Sequence, residues 1–130
     1  MQQSETAAKL AAWLSSKSEP CLDVVDKVWH ASLPTHPGHD AAKRQGNGWS
    51  CVLSVEFKTL HHARLICTHL KLVANATSLG GVESLIEWRT LQDPKISPTL
   101  CRVSIGLEDF ADLQEDFRTT FLQVADLLKQ

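Results

Sequence analysis

From Asp109 onward the residues Phe110, Leu113, Phe117, Phe121, Val124 and Leu128 recur at spacings of three and four, so one helix should carry them all on a single apolar face. Directly before it, Leu100 to Ile105 alternates Leu100, Arg102 and Ser104 with Cys101, Val103 and Ile105, the period of a strand with one apolar side. A striped helix and a one-sided strand each need a surface to bury against, and each supplies it to the other. This pair requires a layered, helix-on-sheet fold.

The remaining segments extend the same layers. Ser4 is placed to cap a helix that has Glu5 in its first turn and bears Ala8, Leu10, Ala11, Trp13 and Leu14, and this helix should stop near Ser18-Glu19-Pro20. Val24, Val25, Val28 and Trp29 read as a strand, followed by a loop, SLPTHPGHD, and a short polar helix over 38–45. After Gly46-Asn47-Gly48, Trp49 to Phe57 reads as a buried strand. Thr59 is placed to cap a helix through His69, with Leu60, Ala63, Ile66, Cys67 and Leu70 facing the core. Leu72 to Ala76 and Ser84 to Trp88 are short strands flanking Gly80-Gly81. The order predicts a compact α/β two-layer sandwich, and 130 residues fit one domain spanning 1–130.

Bulk composition narrows the partners. A formal net charge of -2 does not suggest nucleic acid or an anionic membrane surface, and no apolar run approaches the ~20 residues that span a bilayer. MQQSETAAKLAAWL lacks the charged and apolar regions of a signal peptide. Cys21, Cys51, Cys67 and Cys101 are dispersed among apolar neighbours without a CxxC pair, which predicts buried free thiols and a cytoplasmic protein. Of the six histidines, His36 and His39 flank Pro37-Gly38, and His61 and His62 are adjacent, so neither spacing predicts a metal site. GxSxG, HExxH, GxGxxG and GK[ST] motifs are absent. Trp13, Trp29, Trp49 and Trp88 are read as packing residues.

Arg102 is the most informative single residue, because a guanidinium on a strand inside a packed domain needs a partner. Two readings are open: a clamp for a ligand carboxylate, or a salt bridge to Glu83, Glu87 or Glu108. Gly80-Gly81 permits close backbone approach, and Ser78 offers donors to an anion, although a plain turn explains the same residues.

Taken together, SLGGVESLIE, LCRVSIGLEDFADLQEDF and VWHASLPTHPGHDAAKRQGNGWSCVLSVEF resemble the C-terminal domain of the pyridoxal-phosphate enzymes of cysteine and methionine metabolism. This family includes cystathionine γ-synthase, γ-lyase and β-lyase, and the resemblance runs collinearly from about Ser4 to Leu128, with SETAAKLAAWL matching the opening helix. It implies the small C-terminal domain of fold-type I enzymes, with a small mixed, mainly antiparallel sheet covered by helices. By the same resemblance Arg102 matches the arginine that holds the substrate's α-carboxylate and Ser78 the serine that assists it, with Thr77 and Gly80 beside them. Thr77 stands where many members have Glu, Ser50 replaces a usual glycine, and the loop after ESL is shortened to WRTLQDPKISPT. The family's Schiff-base lysine in S-x-T-K, its phosphate loop, and the aromatic and aspartate that hold the cofactor ring have no counterpart here, so no bound cofactor is expected.

Three functional expectations follow. The first is a stand-alone binding domain or subunit that takes a small carboxylic or amino acid and pairs with itself, for instance as a dimer, or with a large-domain partner. The second is a repurposed, cofactor-independent cyclase, isomerase or condensing enzyme of specialised metabolism, with Glu83, Glu87, His30 and His39 as acid–base candidates. The third is an inert truncated fragment; a start at Met1 just ahead of the opening helix favours an autonomous domain over it.

Overall fold

In the computed structural model the described residues are 2–16, 18–34, 36, 38–40, 50–75, 84–88 and 98–129. The chain runs α1 (Gln2–Leu14), α2 (Cys21–Val24), β1 (Val25–Trp29), β2 (Val52–Phe57), α3 (Leu60–His69), β3 (Ala74–Asn75), β4 (Leu85–Trp88), β5 (Leu100–Ser104) and α4 (Phe110–Lys129). The strands form one sheet in the order β1-β2-β5-β4-β3, antiparallel throughout except for the parallel β3–β4 pair. The expected small mixed, mainly antiparallel sheet is therefore present.

Side chains alternate across the sheet, so its two faces differ. Val28, Leu53, Val55, Phe57, Ile86, Cys101 and Val103 are buried in one core with Leu10, Leu14, Ala63, Ile66, Leu113 and Val124 from the helices. The opposite face carries Trp29, Ser54 and Arg102, all partly buried. Phe121 of α4 is the aromatic centre of the core. It stacks on Trp13 at 6.1 Å and meets Phe57 and Phe117 edge-on at 6.0 and 5.8 Å.

Several boundaries differ from the pattern-based expectation for local reasons. The Ser4 cap is corrected: α1 begins at Gln2, and Ser4 lies buried in its first turn. The Gln3 amide donates to the Ile105 carbonyl at 3.4 Å, which holds the helix start against the end of β5. α1 also ends earlier, at Leu14, because the hydroxyls of Ser15 and Ser16 donate back to the Ala12 and Trp13 carbonyls at 3.2 and 2.6 Å. Val24 belongs to a helical turn that buries it together with Cys21, and the strand starts only at Val25.

Thr59 caps α3 as expected, its hydroxyl accepting from the His62 amide at 3.2 Å, and Ala63, Ile66 and Cys67 are buried. Leu60, however, is 41% exposed, since it precedes the turn that meets the core. Leu128 is also exposed, because Val124 is the last buried residue of α4. The expected helix over 38–45 lies mostly outside the described residues, as do Trp49 and Gly46 to Gly48. Among the described residues no helix is long and apolar enough to cross a membrane.

One carboxylate fixes the turn between α3 and β3. Asp116 of α4 is buried and accepts from three consecutive backbone amides, Lys71, Leu72 and Val73, at 2.9, 2.8 and 3.1 Å. An ionised carboxylate receiving three amides forms stronger bonds than a neutral acceptor. Replacing Asp116 with Ala leaves those donors without their partner, so chemical denaturation should show a stability loss of about 2–4 kcal/mol. A loss below about 0.5 kcal/mol would mean that water satisfies the amides instead.

Candidate functional site

The register of the sheet sets Arg102 in a row of four residues. Trp29 pairs with Ser54, Ser54 with Arg102, and Arg102 with Glu87, so the row crosses β1, β2, β5 and β4 on one face. Its position in the third of five strands in sheet order keeps the guanidinium away from both edges. Arg102 Nη2 donates to Glu87 Oε1 at 3.0 Å, with the two side chains 27% and 6% exposed. Arg102 Nε is buried, and among the described residues it has no hydrogen-bond partner. The guanidinium is thus tethered at one nitrogen while another donor stays unsatisfied, a costly state for a buried N–H.

Of the three acids that could have partnered Arg102, Glu87 does so. Glu108 is engaged elsewhere: the Ser84 hydroxyl and amide donate to its two oxygens at 2.6 and 3.0 Å, and the Gly106 amide donates to the Ser84 hydroxyl at 2.9 Å. Burial pushes the Glu108 carboxyl up, but the two Ser84 bonds outweigh it and hold the group below the usual carboxylate range. Glu83, Thr77, Ser78, Gly80 and Gly81 lie outside the described residues.

Of the two candidate histidines, His30 directly follows β1 and His39 is bonded to the next residue, Ala31. His30 is buried; its Nε2 lies 2.7 Å from the Ser50 carbonyl, and its Nδ1 lies 2.7 Å from the Ser32 hydroxyl and 3.3 Å from the Ser32 amide. A carbonyl only accepts, so Nε2 carries the proton, and Nδ1 accepts from the amide. This is the neutral tautomer with both nitrogens in use. His39 Nδ1 lies 2.7 Å from the Ala31 carbonyl, which ties the following loop back to the same place. Among the described residues no group of three or more His, Cys, Asp and Glu side chains is placed to hold a metal ion.

On the Arg102 face, Lys27 and Trp29 are two residues apart on β1, and the Lys27 ammonium rests over the indole at 3.7 Å. This contact was not anticipated from sequence, although the period-2 spacing contains it. Trp88 Nε1 donates to the Pro98 carbonyl at 2.7 Å, and so fastens the start of β5 beside the end of β4.

The His30 environment has a consequence in pH. Burial, the largest effect, lowers its basicity, the Ser50 contact raises it, and the nearby His36 lowers it further, for a net shift below the ordinary value of 6.5. The folded state therefore binds fewer protons than the unfolded state. The contribution is complete above pH 6.5 and is lost as the pH falls below it towards the lowered folded value. Denaturation midpoints measured across that window should fall with acid in the wild type and fall less steeply in His30→Gln. Equal slopes would mean that His30 is not buried in its neutral form.

The family model for Cys/Met metabolism PLP-dependent enzymes matches residues 1–122. Cystathionine γ-lyase of Macaca fascicularis is 44% identical over 104 residues, covering 71% of this chain and 26% of that protein. Cystathionine β-lyase of Coxiella burnetii is 34% identical over 124 residues, covering 86% of this chain and 31% of that protein. Among solved structures, metB from Corynebacterium glutamicum superposes with a TM-score of 0.85 at 33% identity, covering 95% of this chain and 33% of that one. A cystathionine γ-lyase from Lactobacillus plantarum complexed with L-serine gives 0.81 at 30% identity, covering 95% and 34%. The chain spans roughly a quarter to a third of the length of these relatives. With the match running across helices and sheet alike, this chain belongs to the family of Cys/Met-metabolism PLP-dependent enzymes.

Proposed function

We propose that this chain is a carboxylate-binding domain of the transsulfuration family, which holds a small amino or carboxylic acid through Arg102. The observation that carries the reading is the half-buried guanidinium fixed to Glu87 through one nitrogen, with part of the side chain still open and, among the described residues, no partner on Nε. A ligand carboxylate would meet the exposed part of the guanidinium, whose side chain is 27% exposed, and make a charge-assisted bond in a partly desolvated site. Ser78, Thr77 and Gly80 are proposed as the further contacts on the same carboxylate. A relative solved with L-serine is consistent with an amino acid as the ligand class.

The residues beside Arg102 do not fit the family's cofactor. Its neighbours across the strands are Ser54 and Glu87, and along β5 on the same face they are Leu100 and Ser104. None of these is a lysine that could take pyridoxal phosphate, so no step through that group is derived. Chemistry of the whole-enzyme kind would require a large-domain partner, which we place on the Arg102 face of the sheet. His30, with both nitrogens engaged, favours a structural role over the acid–base role that a repurposed enzyme would ask of it.

Calorimetric titration with L-amino acids, simple carboxylates and the matching amides tests the reading. Arg102→Lys keeps the positive charge opposite Glu87 but loses the planar fork. Carboxylate affinity should fall about tenfold or more, with a melting temperature close to that of the wild type. The amides should bind neither protein. If acids and amides behave alike, or if Arg102→Lys leaves acid affinity intact, Arg102 is a structural partner of Glu87 and nothing more.

A further inference from the structure

Cys67 of α3 and Cys101 of β5 lie with their sulfurs 3.5 Å apart, and both are buried. Cys101 faces the helix layer, pairing in register with the buried Val55 on one side and with Trp88 on the other. Cys67 sits beside the buried Ile66 on the core side of α3. The other two cysteines differ: Cys21 is buried in α2 and Cys51 is half-buried ahead of β2. All four are free thiols.

We propose that Cys67 and Cys101 form an oxidation site, which a small peroxide converts to a disulfide joining α3 to the strand that carries Arg102. The sulfurs must approach by roughly 1.5 Å to reach bonding distance, a displacement shared between a helix and a strand already in contact. One sulfur attacks a peroxide oxygen and the O–O bond breaks. This gives a sulfenic acid and one water, formed from the departing hydroxide and the thiol proton. The second sulfur then attacks the sulfenic sulfur; the S–S bond forms, the S–O bond breaks, and hydroxide leaves as water with the second thiol proton. Two thiols lose two protons and two electrons, and hydrogen peroxide is reduced to two waters.

Burial and the sulfur–sulfur contact together explain why the pair rests as a dithiol. The Cys67 contact, followed by burial, raises the Cys101 thiol far above its ordinary range, so little thiolate is present at neutral pH. Oxidation should therefore be slow in neutral buffer and faster in alkali, and should favour a compact oxidant over a bulky one. The bond would close a loop with its ends 34 residues apart and resist unfolding.

The test treats folded protein bearing Cys51→Ser with hydrogen peroxide, then blocks remaining thiols under denaturing conditions and maps the peptides by mass spectrometry. The expected product has lost two hydrogens, contains a Cys67–Cys101 linked peptide, and returns to the starting mass with a reductant. Its melting temperature should be several degrees higher than that of the reduced form. Cys67→Ser in the same background should give no linked product. The proposal is overturned if Cys67 and Cys101 both remain blockable while added oxygen accumulates elsewhere. It is equally overturned if either sulfur links to Cys21 instead.

Discussion

β5 lies between β2 and β4, and its antiparallel pairing on both sides is the constraint on which the fold and the candidate site both rest. Because strand side chains alternate, this one register turns Cys101 and Val103 into the helix-covered core and Arg102 onto the other face. A slip of one residue would bury a guanidinium among Phe57, Phe117 and Phe121 and expose the apolar pair. The cost of burying an unpaired charge makes that alternative strongly unfavourable. Arg102 and its apolar neighbours thus specify the same register from opposite sides of the sheet.

Two carboxylates near the start of α4 extend this order beyond the sheet. Glu108 receives the hydroxyl and amide of Ser84 at the start of β4, and Asp116 receives three amides just ahead of β3. Both satisfy backbone donors that no ladder reaches, which is how a small domain can keep a short two-residue strand in its sheet. The helix is therefore more than a cover for the core. Its buried Asp116 organises one connection while its apolar side packs.

The sequence pattern was most legible where a single period governed the segment. The stripe of α4 and the alternation of β5 were plain because burial acts on one side of each element. Errors fell at the ends. Leu60 and Leu128 match the helical spacing but lie outside the buried stretch, and Ser4 is a cap residue by type but lies inside a helix that begins at Gln2. Periodicity reports which side of an element is apolar; it does not report where the opposing surface ends.

Membership of the family was legible from collinear motifs alone, and so was the importance of Arg102, because a strand arginine must be paired with something. What it pairs with was not. Glu83, Glu87 and Glu108 were equivalent in sequence, and only cross-strand register chose Glu87, while Ser84 engaged Glu108. The same holds for His30, whose tautomer is set by a carbonyl 20 residues away, and for Cys67 and Cys101, 34 residues apart yet in contact. Local patterns of burial are written in neighbouring residues, so the sequence determined the elements and the layers. Partners distant along the chain meet only when the layers close, so the tertiary structure decided the charges, the tautomer and the thiol pair.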